Sequence, residues 1–247
     1  MIDKSHPVGK LANFRDLGNL TTVTGSTKEG QLFRSDDLAL LDDEQAEIIL
    51  DFGVKLIIDL RSSDEVELVG RGPLANAPID YLNLPLLNPA ASGVMTEEIL
   101  DREFTSEMLG RWYASVYQDA LPKISSGLKA IAESDGPVLF HCAVGKDRTG
   151  IFAASLLTML GVTRSEIIRD YSLTNENLPR LLSRLSTLQP FWTEDLIVQS
   201  GALMRADEQS MRTMLELVGS EEEIQSQLRD AGLDDDTAEL LRTNYTH

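Results

Sequence analysis

Cys142, Gly145 and Arg148 lie close together in the stretch Val138 to Gly150, VLFHCAVGKDRTG. Their types and spacing suit nucleophilic chemistry on an anion. A cysteine attacks as its thiolate, and an arginine grips two oxygens of a tetrahedral anion through a planar fork that lysine lacks. Five residues separate Cys142 from Arg148, enough to curl a loop around one such anion. The loop's backbone N–H groups and the helix start behind it would face the oxygens. The same dipoles, with Arg148, favour thiolate over thiol. Gly145 lets the backbone come close to the anion, and Thr149 is placed to hydrogen-bond the sulfur. A nucleophile seated in an anion cradle implies phosphoryl transfer through a cysteinyl-phosphate. The bland reading, an inert buried cysteine, leaves Gly145, Lys146 and Arg148 unexplained.

The flanking sequence supplies the elements that must hold this loop. Val138 to Phe140 follows Gly136-Pro137 and reads as a short central strand. From Arg148 the chain is apolar almost all round, which predicts a buried helix ending at Gly161. Val54 to Leu60 is a second apolar strand, as in a sheet covered on both faces. Arg61 stands at its C-terminal end, the edge where open α/β sheets bind ligands. Asp59 reads equally as a structural hydrogen-bond partner.

The pattern His-Cys-x-x-Gly-x-x-Arg-Thr-Gly resembles the signature of the protein tyrosine phosphatase superfamily, and HCAVGKDRTG is similar to its atypical bacterial members. Asn13 to Gly18, Leu32 to Leu38, Ile57 to Ser62 and the tail Gly219 to Leu241 match that family too. The resemblance implies an α/β fold with a central, mostly parallel sheet flanked by helices. It implies one domain over residues 1–247, with a helical lid at 178–205. It implies a cysteine-dependent protein tyrosine phosphatase, a phosphoric monoester hydrolase of dual or triple specificity. Substrates would be proteins carrying phosphotyrosine, phosphoserine or phosphothreonine, or phosphoinositides, with inorganic phosphate as product and no cofactor; no His, Cys or Asp cluster has metal-ligand spacing, so no metal is expected. Cys142, Arg148 and Asp147 would be catalytic. Ala143, Val144, Gly145, Lys146, Thr149, Arg61 and Arg15 would contact substrate. Where the family more often has Gly-Gly, this chain has Gly18-Asn19, and Asn also tolerates a turn with φ > 0.

The leaving alcohol needs a proton. No Trp-Pro-Asp exists in this chain, and the upstream Asp101 and Asp119 sit in helical-looking sequence. Asp147 is the family's candidate acid, and orienting Arg148 by a salt bridge is its alternative role. His141 reads as structural, its ring holding loop carbonyls. Lys146 adds a cation that a single phosphotyrosine does not require, which keeps a phosphoinositide phosphatase as a second reading. A third reading is a catalytically inactive phosphate-binding module, against which the intact Cys142, Arg148 and Asp147 speak. A rhodanese is a weaker rival, because its loop is usually shorter and lacks the Arg-Thr-Gly ending.

Composition sets outer bounds. The 247 residues are 42% hydrophobic, ample for a core. One cysteine excludes an intramolecular disulfide. No apolar run approaches the ~18 residues of a membrane span, and the N-terminus lacks the apolar core of a secretory signal. The expectation is a cytoplasmic protein, with signal-less export left open. A net charge of −18 argues against nucleic acid as partner. It also requires a local basic site, for which Arg15, Arg34, Arg61, Lys146 and Arg148 are the candidates.

Elsewhere, Leu11 to Leu20 and Gln31 to Arg34 read as two arms of a hairpin, with Arg15 and Asp16 as a surface pair or beside the site. Asp42 with Gln45 predicts a capped helix to Phe52. Asp64 to Val69 reads as a helical turn, Gly70 to Pro78 as a loop, and Tyr81 to Leu87 as an edge strand because of Pro85. Met95 to Asp119 reads as helix broken near Gly110, with Trp112, Tyr113 and Val116 in the core. Pro122 would start another helix to Ala132. Thr163 and Glu166 form a capping-box pattern. Leu178 to Gly201 is amphipathic, and three helices close the chain.

Overall fold

The computed structural model describes residues 11–87, 105–181 and 201–247. Five strands form one sheet: β1 (Arg15–Asp16), β2 (Leu32–Ser35), β3 (Leu56–Asp59), β4 (Asp80–Asn83) and β5 (Val138–His141). Their order is β1-β2-β5-β3-β4. Only β1 and β2, the expected hairpin arms, pair antiparallel; the other pairs are parallel. The mostly parallel α/β architecture expected from the sequence is the one observed. Every residue of β2, β3 and β5 is buried, which explains the apolar runs Leu56–Ile58 and Val138–Phe140. The Pro85 strand is an edge strand and ends at Asn83, before the proline.

Alternate side chains feed two cores. Val138, Phe140, Leu56 and Ile58 face one helical layer. Leu139, Ile57 and Phe33 face the other, where Phe14, Phe33 and Phe52 stack with ring centroids 5.1–5.5 Å apart. The second layer is built on α1 (Asp43–Asp51), whose Asp42–Gln45 capping box is present. The first holds α3 (Ser106–Ala132), α4 (Asp147–Met159), α5 (Arg164–Ser172) and the tail helices α7 (Glu208–Val218), α8 (Glu221–Asp230) and α9 (Asp235–Tyr245). Two shorter helices are α2 (Ser63–Val69) and α6 (Gly201–Met204).

Three local expectations change. The break near Gly110 and the new start at Pro122 do not occur; both residues lie inside the single helix α3. Its apolar stripe from Leu109 to Ile131 is buried in the core, and packing overrides the two local stop signals. Gly110 marks a helix crossing instead: an added Cβ would lie 2.5 Å from the Ser210 carbonyl oxygen and 2.6 Å from Thr213 Cβ. Thr163 stands at the N-cap of α5, but its side chain makes no capping bond and its hydroxyl meets Ser165 instead, 3.1 Å away. Gly72–Asn76, inside the expected loop, is a turn of 3₁₀ helix. Of the expected lid at 178–205, residues 182–200 lie outside the described residues, as do 88–104.

The register decides where the site sits. His141 is the register partner of both Ser35 and Asp59, so β2, β5 and β3 end side by side. The Cys142 loop leaves from this carboxyl edge and runs into α4.

Candidate active site

The loop's carbonyls are tied from behind, one after another. The Cys142 oxygen lies 3.3 Å from His141 Nδ1. The Ala143 oxygen accepts the Asp37 N–H at 3.2 Å. Asn13 Nδ2 donates to Val144 and Gly145 oxygens at 3.1 and 2.9 Å, and Arg34 adds a bond to Gly145 at 2.8 Å. With the carbonyls turned outward, the N–H groups are left for the inside of the curl. One of them already reaches the nucleophile: Gly145 N–H donates to Cys142 Sγ at 3.2 Å. Such a ring of inward amides is an anion nest.

Gly145 is required by the protein's own packing. Its φ is +72°, and an added Cβ would lie 2.5 Å from the Ser35 oxygen and 2.8 Å from the Asp36 nitrogen. The loop lies directly on the backbone leaving β2. Gly145→Ala should therefore force the loop off this seat, with at least about 1–3 kcal/mol of strain and a collapse of kcat. A variant whose kcat stays within about threefold of wild type would contradict the close seating.

Arg148 is part-buried and grips Glu65 of α2 with both terminal nitrogens, one of them at 2.9 Å. Burial works against the charge on Arg148, but Cys142 and Glu65 outweigh it and raise its pKa. Burial likewise opposes the charge on Glu65, yet the Arg148 bonds lower it to about 2. Glu65 also accepts the Ser62 N–H at 2.8 Å, closing the capping box of α2. One carboxylate thus starts a helix and aims the arginine. Sequence reading missed it, although Ser62-x-x-Glu65 is a capping-box spacing.

The other cations are held by carboxylates inside the protein. Arg61 is 1% exposed. It bonds Asp59 and Asp37 at 2.6–3.1 Å and the Gly70 oxygen at 3.0 Å. Burial opposes the Asp59 charge, but His141 and Arg61 hold its carboxyl down to about 2. Arg15 bonds the Asp170 carboxylate and backbone at 2.7 and 2.8 Å. It makes no pair with Asp16, whose carboxylate closes the turn to Gly18 and Gly30. Arg34, fully buried, meets the same Asp170. Burial, then Arg15, lowers the Arg34 pKa to about 10. Arg61 and Arg15, expected among the substrate contacts, are here paired with carboxylates, Arg61 with Asp59 and Asp37 and Arg15 with Asp170. His141 is buried, which depresses its pKa against the pull of Asp59 and Asp37, in line with a structural role.

Asp147 opens α4 and is partly exposed. Its Oδ1 accepts the Tyr113 hydroxyl and lies 3.2 Å from Lys146 Nζ. Lys146 is itself buried and donates to the Leu203 carbonyl. Thr149, expected on the sulfur, is fully buried, and its hydroxyl has no hydrogen-bond partner among the described residues. Gly145 N–H occupies the sulfur instead. No group of three His, Cys, Asp or Glu among the described residues could hold a metal ion. No described helix is long and apolar enough to cross a membrane.

Cys142, with the Gly145 N–H on its sulfur, and the part-buried Arg148 thus share one loop between a parallel strand and a helix. The model of the "Tyrosine phosphatase family" matches residues 6–247, and the chain belongs to that family. It is 29% identical over 208 residues to a Mycobacterium tuberculosis protein named triple specificity protein phosphatase PtpB, spanning 74% of each chain. It is 37% identical over 146 residues to a Nostoc commune tyrosine-protein phosphatase; that match covers 57% of this chain and 47% of the relative. Among solved structures, P. aeruginosa TpbA aligns over 79% of this chain and 93% of its own, at 16% identity and a TM-score of 0.32.

Proposed function

We propose that this chain hydrolyses phosphotyrosine in proteins through a cysteinyl-phosphate on Cys142. The observation that carries the reading is the ring of loop carbonyls bonded from behind, which leaves the amides around Sγ free for a phosphoryl group. In the first step Cys142 Sγ attacks phosphorus and the P–O bond to the phenol breaks. Arg148 and the loop N–H groups stabilise the equatorial oxygens, as preorganised donors do for developing charge. Asp147 gives its proton to the departing phenol oxygen. In the second step water attacks the phosphocysteine, Asp147 takes a proton from it, and phosphate and the Cys142 thiolate are released.

The name of the Mycobacterium tuberculosis relative, a triple specificity protein phosphatase, supports activity on more than phosphotyrosine. The phosphoinositide reading rested on Lys146 as a spare cation. Its burial, its bond to Leu203 and its pairing with Asp147 favour the protein substrate.

The test is metal-free phosphate release from phosphotyrosine and phosphoserine peptides and from phosphoinositides, for wild type and Cys142→Ser. Wild type should turn over the phosphotyrosine peptide fastest, and the serine variant should show no turnover while still binding the peptide. Binding without turnover by wild type would replace this reading with the inactive module. Preference for phosphoinositides would install the lipid reading.

A further inference from the structure

Asp147 is held by residues that its motif does not contain. Tyr113 comes from α3 and Tyr171 from α5, and both are essentially fully buried. Their hydroxyls are 2.7 Å apart and their rings meet edge to face at 6.0 Å. A carboxylate only accepts, so the Tyr113 hydrogen points to Asp147 Oδ1 and Tyr113 in turn accepts from Tyr171. Burial first, then the Asp147 charge, raises the pKa of both phenols, so both keep the protons they donate. Chained hydroxyls polarise one another and strengthen the final bond.

The chain of bonds ends on one oxygen. Oδ1 takes Tyr113 and faces Lys146, while Oδ2 has no hydrogen bond to the described residues. Gly150 permits the arrangement: an added Cβ there would lie 3.0 Å from Tyr171 Cδ2. The final glycine of the signature thus makes room for the ring that backs the acid.

We propose that Tyr113, backed by Tyr171, is a positioning residue that anchors Asp147 Oδ1 and thereby presents Oδ2 as the atom that carries the proton to the leaving group. This rests on the reading of Asp147 as the acid. The two are separable, because only an acid's contribution depends on how much the leaving group needs a proton.

The experiment compares kcat/KM on p-nitrophenyl phosphate, whose phenolate leaves readily, with phenyl phosphate, whose phenolate leaves poorly. Tyr113→Phe, Tyr171→Phe and Asp147→Asn are compared with wild type, with folding checked by thermal melts. General acids contribute ~10²–10⁴-fold, so Tyr113→Phe should lose about tenfold more on phenyl phosphate than on p-nitrophenyl phosphate. Tyr171→Phe should skew in the same direction but less, and Asp147→Asn should skew most. Equal losses on both substrates in the tyrosine variants, with the Asp147→Asn skew intact, would overturn the positioning role and leave the acid standing. No skew in Asp147→Asn would overturn both. Should Tyr113→Phe fail to fold, Tyr171→Phe decides by the same comparison.

Discussion

Glu65→Gln should cut kcat/KM for a phosphotyrosine peptide by about 10²- to 10³-fold, the size seen when a preorganised electrostatic group is removed. Glutamine also serves at this position of a capping box, so α2 should keep its start. What changes is the face turned to Arg148: an acceptor oxygen becomes an NH₂ group set against the guanidinium. The arginine then loses its aim, not its charge. The same pair fixes an acid limb of stability. Glu65 titrates near 4.5 when free and at about 2 when folded. A depressed folded pKa stabilises above the free value, and that contribution is lost as pH falls towards about 2. Urea midpoints of wild type and Glu65→Gln should differ most at neutral pH and converge in acid. A variant with wild-type kcat/KM would show that Arg148 is aimed by something else.

Asp170→Asn should be the most damaging change to stability. Asp170 is buried between Arg15 and Arg34 and, against the cost of burial, their charges lower its pKa. Without its charge, two guanidinium groups face each other across a neutral amide that compensates neither. Breaking a buried pair from one side costs about 3–5 kcal/mol, a large share of an ordinary folding free energy. At ~2–4 °C per kcal/mol for a protein of this size, the melting temperature should drop by about 6–20 °C. The Gly145 end of the loop should loosen as well, because Arg34 would lose the partner that holds it against the Gly145 carbonyl. A drop of under about 2 °C would mean that the cluster is compensated elsewhere.

The signature was legible because its chemistry is local: nucleophile, glycine and arginine share one strand, one loop and one helix turn. The apolar runs of β3 and β5 were legible for the same reason. The supports were not. Asp170 meets Arg15 and Arg34 across 155 and 136 positions of sequence, and no short window contains such a pair. Arg61 and Arg15 read as open cations because sequence shows a charge but not its partner. Tyr113 read correctly as core, yet its hydroxyl reaches the site from inside that core. Gly110 and Pro122 read as stops because each is judged by its own propensity, while the surrounding stripe is judged by the core that it fills.

The cradle's bonds also bear on when, during synthesis, the chain acquires its chemistry. Asn13 closes on Val144 and Gly145 over 131 and 132 positions, and Tyr113 on Tyr171 over 58. Spans of this length are entropically costly and form late. A nascent chain extended only as far as Arg148 would carry the nucleophile and the arginine, but not the Asp170 that fixes Arg15 and Arg34 or the Thr174 that joins Asn13. The ribosome thus exposes the cysteine well before the residues that brace its loop, and turnover should wait until Asp170 and Thr174 have docked.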